Sequence, residues 1–275
     1  MRYRWEKSVQ SDGKTDMSWA VYDYLFEETD SGYRLTVTPV SSGSNETDPT
    51  KLALMKRIEE LTSKPFVLRL NESGEIEEVV EADKYWSTTF AVLKEEIAKQ
   101  ATTKKDPMIG QLMQNVLGMF EKMPPESRQA IMTEEVQPAV EFADTHTEVG
   151  KPLATSVETS SPYGGAISRD VTISLAKVAD AKAYLTISST IPKAELVKLT
   201  QSFLKQLTTL PADKRKEAEQ GMASLEGFRH DTLSDYQVSV EDGLLEQFHS
   251  TETVEVADKD KQRRKVTTRS MTRIN

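Results

Sequence analysis

Residues 65–80 read PFVLRLNESGEIEEVV. Apolar and polar side chains alternate from Phe66 to Leu70, the chain breaks at Asn71-Glu72-Ser73-Gly74, and the pattern resumes at Ile76. Period two on both sides of an Asn/Gly turn describes a strand, a tight turn and a second strand. A weaker copy lies at residues 235–248, DYQVSVEDGLLEQF, where Asp242-Gly243 is the hairpin signal. Each copy follows a segment with an apolar stripe at helical spacing: Leu52, Met55, Ile58 and Leu61 before the first, Leu196, Leu199, Phe203 and Leu207 before the second. Each of those segments follows an alternating strand, Tyr33–Thr38 and Tyr184–Thr190 respectively. Matched in this order, the two halves predict a quasi-twofold sheet.

The remaining segments extend this frame. Tyr3, Trp5, Lys7 and Val9 share one face of a first strand, with Arg2, Arg4, Glu6 and Ser8 on the other. Met17–Glu27 carries large apolar groups on both faces, so it reads as a strand covered on both sides for part of its length. Short polar turns at Ser11-Asp12-Gly13 and Asp30-Ser31-Gly32 join these strands into an antiparallel meander. Asp48 is placed to cap a helix that has Pro49 at its first position. From Asp83 to Asp144 the period becomes helical: Trp86, Phe90 and Leu93, then Ile109, Leu112, Met113, Val116 and Phe120. Pro211 opens a further charged helix. Leu245–Val256 and Arg264–Thr272 are strands, and the basic run Lys259–Lys265 between them reads as a solvated hairpin loop.

The fold class that follows is α+β: a strongly curved antiparallel sheet built from two related halves, with helices packed on one face. Residues 1–82 form the first half, 83–144 a helical insert and 145–275 the second half, all within one compact domain.

Composition limits the partners. Forty-four acidic against 35 basic residues give a net charge of -9, which repels nucleic acid and anionic membrane surfaces. The absence of cysteine excludes disulfides, thiol catalysis and thiolate metal sites. No apolar run is long enough to span a bilayer. Met1-Arg2-Tyr3-Arg4-Trp5 enters a strand directly, so the expected compartment is the periplasm or cell envelope if a leader has been removed, and otherwise the cytoplasm.

Catalytic chemistry is not visible. His146, His230 and His249 lack a second ligand at metal spacing, and neither a nucleophile elbow nor a phosphate-binding glycine loop occurs. The adjacent pairs Glu95-Glu96 and Glu134-Glu135 point their side chains apart on a helix and do not make an acid/base pair. No cofactor is expected.

The 65–80 hairpin, Glu148-Val149-Gly150-Lys151-Pro152, Pro162-Tyr163-Gly164-Gly165 and the 235–243 stretch resemble segments of uncharacterised bacterial cell-envelope proteins. Their two-half, strand-rich architecture is in turn similar to periplasmic lipoprotein-carrier and lipid-carrier proteins. That resemblance implies a curved sheet holding acyl chains beneath helices, and it transfers no functional residue by motif. The expectation is therefore a non-enzymatic binder of an apolar or amphipathic ligand such as a lipid or acyl chain. Its apolar lining would be Trp86, Phe90, Met113, Val116 and Phe120 from the helices, facing Tyr22, Tyr24, Leu35 and Leu68 from the sheet. The competing expectation is a protein-interaction or structural module of the envelope with a filled core. A carrier needs roughly 300 Å³ of continuous apolar space, whereas a scaffold is packed solid.

Overall fold

The computed structural model describes residues 1–103, 117–142, 146–160, 166–206, 216, 227–258 and 261–274. The first half contributes β1 (Arg2–Ser11), β2 (Lys14–Thr29), β3 (Gly32–Ser44), α1 (Pro49–Thr62), β4 (Phe66–Leu70) and β5 (Ile76–Val79). Three helices follow, α2 (Ala82–Thr103), α3 (Pro125–Thr133) and the single turn α4 (Gln137–Val140), with residues 117–121 also helical. The second half contributes β6 (Leu153–Ser160), β7 (Ala166–Ala179), β8 (Lys182–Thr190), α5 (Lys193–Gln206), β9 (Gly227–Ser239), β10 (Leu245–Asp258) and β11 (Lys261–Ile274). The helix expected to open at Pro211 lies outside the described residues, apart from a helical Lys216.

All eleven strands join one antiparallel sheet in the order β5-β4-β3-β2-β1-β11-β10-β9-β8-β7-β6. The local signals act as expected. Asp48 caps α1 by accepting from the amides of Thr50 (2.8 Å) and Lys51 (3.2 Å), with Pro49 at the first turn. Gly74 takes a positive φ of 84° and closes the β4–β5 turn by donating to Asn71 O at 2.9 Å. At Gly32 a side chain has no room: an added Cβ would lie 2.2 Å from Leu70 O, where β3 crosses the end of β4.

The relation between the halves differs from a quasi-twofold. Strands β5 to β1 and β10 to β6 succeed one another in the same order, and alternation of antiparallel neighbours gives corresponding strands the same direction. A twofold would reverse the order of one half. The element order is that of a shift along the sheet, and β11 fills the interval between β1 and β10.

Register assigns every strand an inner face, toward the helices, and an outer one. Trp5, Met271, Phe248, Tyr236, Leu185 and Leu175 form a continuous inner row from β1 to β7. Val136 and Val140, from the α3–α4 segment, pack onto this row and are 2% and 8% exposed. On the first half, Tyr24, Leu35, Val37, Leu68 and Val79 complete the core. On the outer face of β2, Val21 is buried while Leu25 is exposed, so the strand is covered on both sides for only part of its length.

Residues 261–265 of the basic run form strand and not loop, while Lys259 and Asp260 lie outside the described residues. β11 begins at Lys261, and residues 261–265 pair with β10, with Arg264 bonded to Glu255 at 3.2 Å. In the register Glu255 is opposite Arg264 and Asp258 opposite Lys261, acidic against basic residues, which favours pairing close to the strand tips.

Candidate functional site on the inner face of the sheet

The segment from residue 134 to 142 crosses the inner face as a short bridge. Pro124-Pro125 ends the preceding helical stretch, and Pro138 allows only the single turn of α4. Glu134 and Glu135 diverge as the sequence requires. Glu134 reaches Arg269 Nη2 at 2.9 Å and Lys7 at 3.9 Å. Glu135 accepts a short hydrogen bond from the Tyr22 hydroxyl. At the far end Glu141 accepts from the Tyr236 hydroxyl at 2.5 Å, and Phe142 stands edge-on to the Tyr236 ring at 4.5 Å. The bridge is thus pinned at both ends to tyrosines of the sheet.

Burial pushes the Glu135 and Glu141 carboxyls above the usual range, opposed in each case by the tyrosine hydrogen bond. Burial likewise pushes the Tyr22 and Tyr236 hydroxyls up, so both remain protonated donors at neutral pH. A raised carboxyl favours folding below its unfolded value near 4.5, and that contribution is lost as pH rises through the folded value. Glu135→Gln keeps an acceptor for Tyr22 and removes the charge. Its stability relative to the native chain is therefore expected to improve as pH rises above the ordinary carboxylate range. Urea midpoints at pH 4 and pH 8 check this; a pH-independent difference would count against an ionising, desolvated Glu135.

Two residues along from the aromatic row, the inner face becomes polar and then apolar again. Lys7, Arg269, Ser250, Ser234, Ile187 and Ile173 align from β1 to β7. Arg269 Nη1 donates to Glu252 at 2.8 Å, and His230 Nε2 donates to Glu252 Oε1 at 2.9 Å. Those hydrogen bonds, that from His230 foremost, hold the Glu252 carboxyl down at about 2. Ser234 and Ser250 bond to each other at 2.9 Å and are buried.

Beyond these groups the inner side chains of β8, β7 and β6 include an apolar set, Ile187, Val171, Ile173, Leu153 and Val157, incompletely covered and flanked beside Val171 by Thr155 and Ser189. Val171, Ile173 and Ile187 are half-buried, while Leu153 and Val157 on the edge strand are 49% and 40% exposed. Leu35, Val37 and Leu68, at the corresponding depth in the first half, are each 0% exposed. The contrast makes the β6–β8 end the accessible apolar part of this face.

The nine residues expected to line a cleft fall into separate groups. Tyr24, Leu35 and Leu68 are buried in the packed core, and Tyr22 is engaged by Glu135. Trp86, Phe90 and Phe120 meet one another: Trp86 lies 6.5 Å from Phe90, nearly parallel, and 6.4 Å from Phe120. Arg128 sits 5.8 Å from the Trp86 ring, and Trp86 Nε1 is enclosed without a partner among the described residues. Met113 and Val116 lie outside the described residues. The helical trio and the sheet residues pack in separate clusters. Two surface depressions, of about 360 Å³ by Met1, Arg2 and Asp23 and about 290 Å³ by Tyr184, Asp235 and His249, both lie away from the space between sheet and helices.

Sequence reading missed Glu252, Arg269 and Arg169, and considered His230 only as a lone histidine without a second metal ligand. Each sits at an inward position of its strand, beside inward apolar residues such as Met271, Val254, Phe228 and Val171. Once register is known, a charged residue at the buried parity is the signal that finds them.

No family model matches the chain, and no curated protein sequence matches it. Among solved structures, the chain is similar to one titled for lipid–protein interactions in lipovitellin, with a TM-score of 0.46 and 7% identity. The match covers 100% of this chain and 25% of that one, so this chain spans about a quarter of its length. Among the described residues, no helix is long and apolar enough to cross a membrane.

Proposed function

We propose that the chain is a non-enzymatic binding protein for an apolar or amphipathic molecule, a lipid or acyl chain, which lies along the inner face of β6–β8. The observation that carries this reading is the half-buried strip of Val171, Ile173 and Ile187 with Leu153 and Val157 at its open edge. Apolar area left in contact with water gains about 25 cal/mol per Å² when a ligand covers it. The ligand binds by desolvation on a preformed surface, with the polar groups of Glu252, His230 and Arg269 bordering one side. In the bacterial envelope, the compartment implied by the resemblance, such a protein holds a lipid out of water.

Native mass spectrometry of the protein isolated without detergent tests this. The expected result is a co-purifying mass removed by solvent extraction and identified as lipid. Ile173→Asp is expected to lower ligand occupancy about tenfold, the equivalent of losing one buried aliphatic contact. Phe90→Asp, in the helical trio, reports whether that cluster forms a second wall. A clean mass that gains nothing from fatty acids or phospholipids overturns the reading.

That outcome would favour a second reading, an interaction module. The observation behind it is the filled core under the bridge, together with the edge strand β6, whose residues 153–158 are all exposed. An exposed edge pairs with an added strand from a partner.

A further inference from the structure

Arg169 has an unusual setting. It lies on β7 at the inward parity, between Ile167 and Val171, and pairs across to Val157 of β6. Ile167 and Ile191, both buried, pack with Leu196 of α5 in a small apolar cluster at this end of the strip. The Arg169 Nε is enclosed and has no hydrogen-bond partner among the described residues. Desolvating a guanidinium N–H with no acceptor is unfavourable, and far more so next to aliphatic side chains.

The other inward arginine with an enclosed, unpartnered Nε is Arg269, and it differs in a decisive respect. Its two terminal nitrogens are taken by Glu134 and Glu252, so its charge is neutralised by the protein. Glu195 of α5 lies next to the Ser168 end of β7, beside Arg169 in the chain. That carboxylate is taken by Lys198 at 2.5 Å and by the amide of Ser168. Arg169 therefore stands as a cation at the head of an apolar strip, without such neutralisation at its Nε.

Resting on the reading above, we propose that the strip binds an amphiphile with an anionic head, a fatty acid, whose carboxylate is received by Arg169 and whose chain runs along Val171 and Ile173 toward Leu175. The planar guanidinium presents a fork of N–H donors that matches a carboxylate. The chain direction follows from the strand. Residues 169 to 175 span about 20 Å at about 3.3 Å per residue, and every second one faces inward. At the far end Leu175 and Leu185 meet the sealed aromatic row, which sets a limit on chain length.

The test compares laurate with dodecanol, which have the same chain length and differ in the charge of the head. Titration calorimetry is done on the full chain, native and as Arg169→Gln and Arg169→Lys. The native chain is expected to bind laurate at least tenfold more tightly than dodecanol. Arg169→Gln is expected to remove that preference while leaving dodecanol affinity within about twofold, and Arg169→Lys to retain part of it. If the native chain binds both molecules equally, or Arg169→Gln leaves the preference intact, the assignment of the head to Arg169 is overturned and the binding of apolar chains stands. Equal loss of both ligands in Arg169→Gln also overturns it, because the residue then only supports the strip. If neither molecule binds the native chain, the proposed function falls with it.

Discussion

Leu35→Ala is expected to destabilise the fold by about 3 kcal/mol, the cost of removing a fully buried leucine and leaving a cavity. Leu35 is 0% exposed and lies between Phe26 of β2 and Leu68 of β4, in the same packed cluster as Val37, Leu70 and Val79. Three strands and the helices above them meet there, so collapse around a missing side chain would need movement of backbone that is hydrogen-bonded on both sides. Leu25→Ala is the internal control. Leu25 is one residue from Phe26, points to the outer face and is 56% exposed, so its truncation is expected to change stability by no more than about 0.5 kcal/mol. Guanidinium unfolding of both variants gives the comparison. Equal effects would mean that the inward parity assigned to β3 is wrong.

Glu252→Gln is expected to destabilise the chain by about 2–3 kcal/mol at neutral pH, with the difference disappearing in acid. A carboxyl held at about 2, against an ordinary value of 4.5, contributes folding stability of this order when ionised, with allowance for its 22% exposure. The depressed value fixes the sign. The contribution is complete above 4.5 and is lost as pH falls through 4.5 toward about 2. Removing the charge also leaves Arg269, 18% exposed, with only Glu134 as its carboxylate partner. The pH dependence is opposite in sign to that of Glu135, although both carboxyls lie on the inner face. Glu252 is charged and accepts hydrogen bonds from His230 and the Arg269 guanidinium, whereas Glu135 is desolvated beside a neutral hydroxyl. Urea unfolding of Glu252→Gln and the native chain at several pH values between 3 and 8 is the measurement. A difference that persists unchanged at pH 3 would show that Glu252 stabilises by packing and not by charge.

The two effects bear on the functional proposal. In the first half the inward side chains of Leu35, Val37 and Leu68 are fully buried against one another. The second half carries a charged border and an apolar strip whose edge residues Leu153 and Val157 are exposed among the described residues.

Much of the fold was legible because strand and turn chemistry are local. Alternation in residues 65–80, the Asn71–Gly74 and Asp242-Gly243 turns, and the Asp48-Pro49 cap each report on a few consecutive residues. They yield an antiparallel α+β chain and the order of its elements. Parity also marks which side chains of a strand share a face, so Tyr3 with Trp5, and Leu35 with Val37, were recognisable as partners.

What parity cannot supply is which strands lie side by side, and that decided the rest. Placing β11 between β1 and β10 brings Arg269 next to Lys7 and lets Glu134, from a distant helix, join both. It also turns the expected quasi-twofold into a shift along the sheet. The anticipated lining failed to converge for the same reason. Apolar periodicity placed Leu35 on one face of its strand, Trp86 with Phe90 on one helical stripe and Phe120 on another, but hydrophobic burial is non-directional and does not specify the opposing surface. The core, the bridge and the unneutralised Arg169 Nε at the head of the β6–β8 strip arise from contacts between residues far apart in sequence, which only the assembled sheet brings within bonding distance.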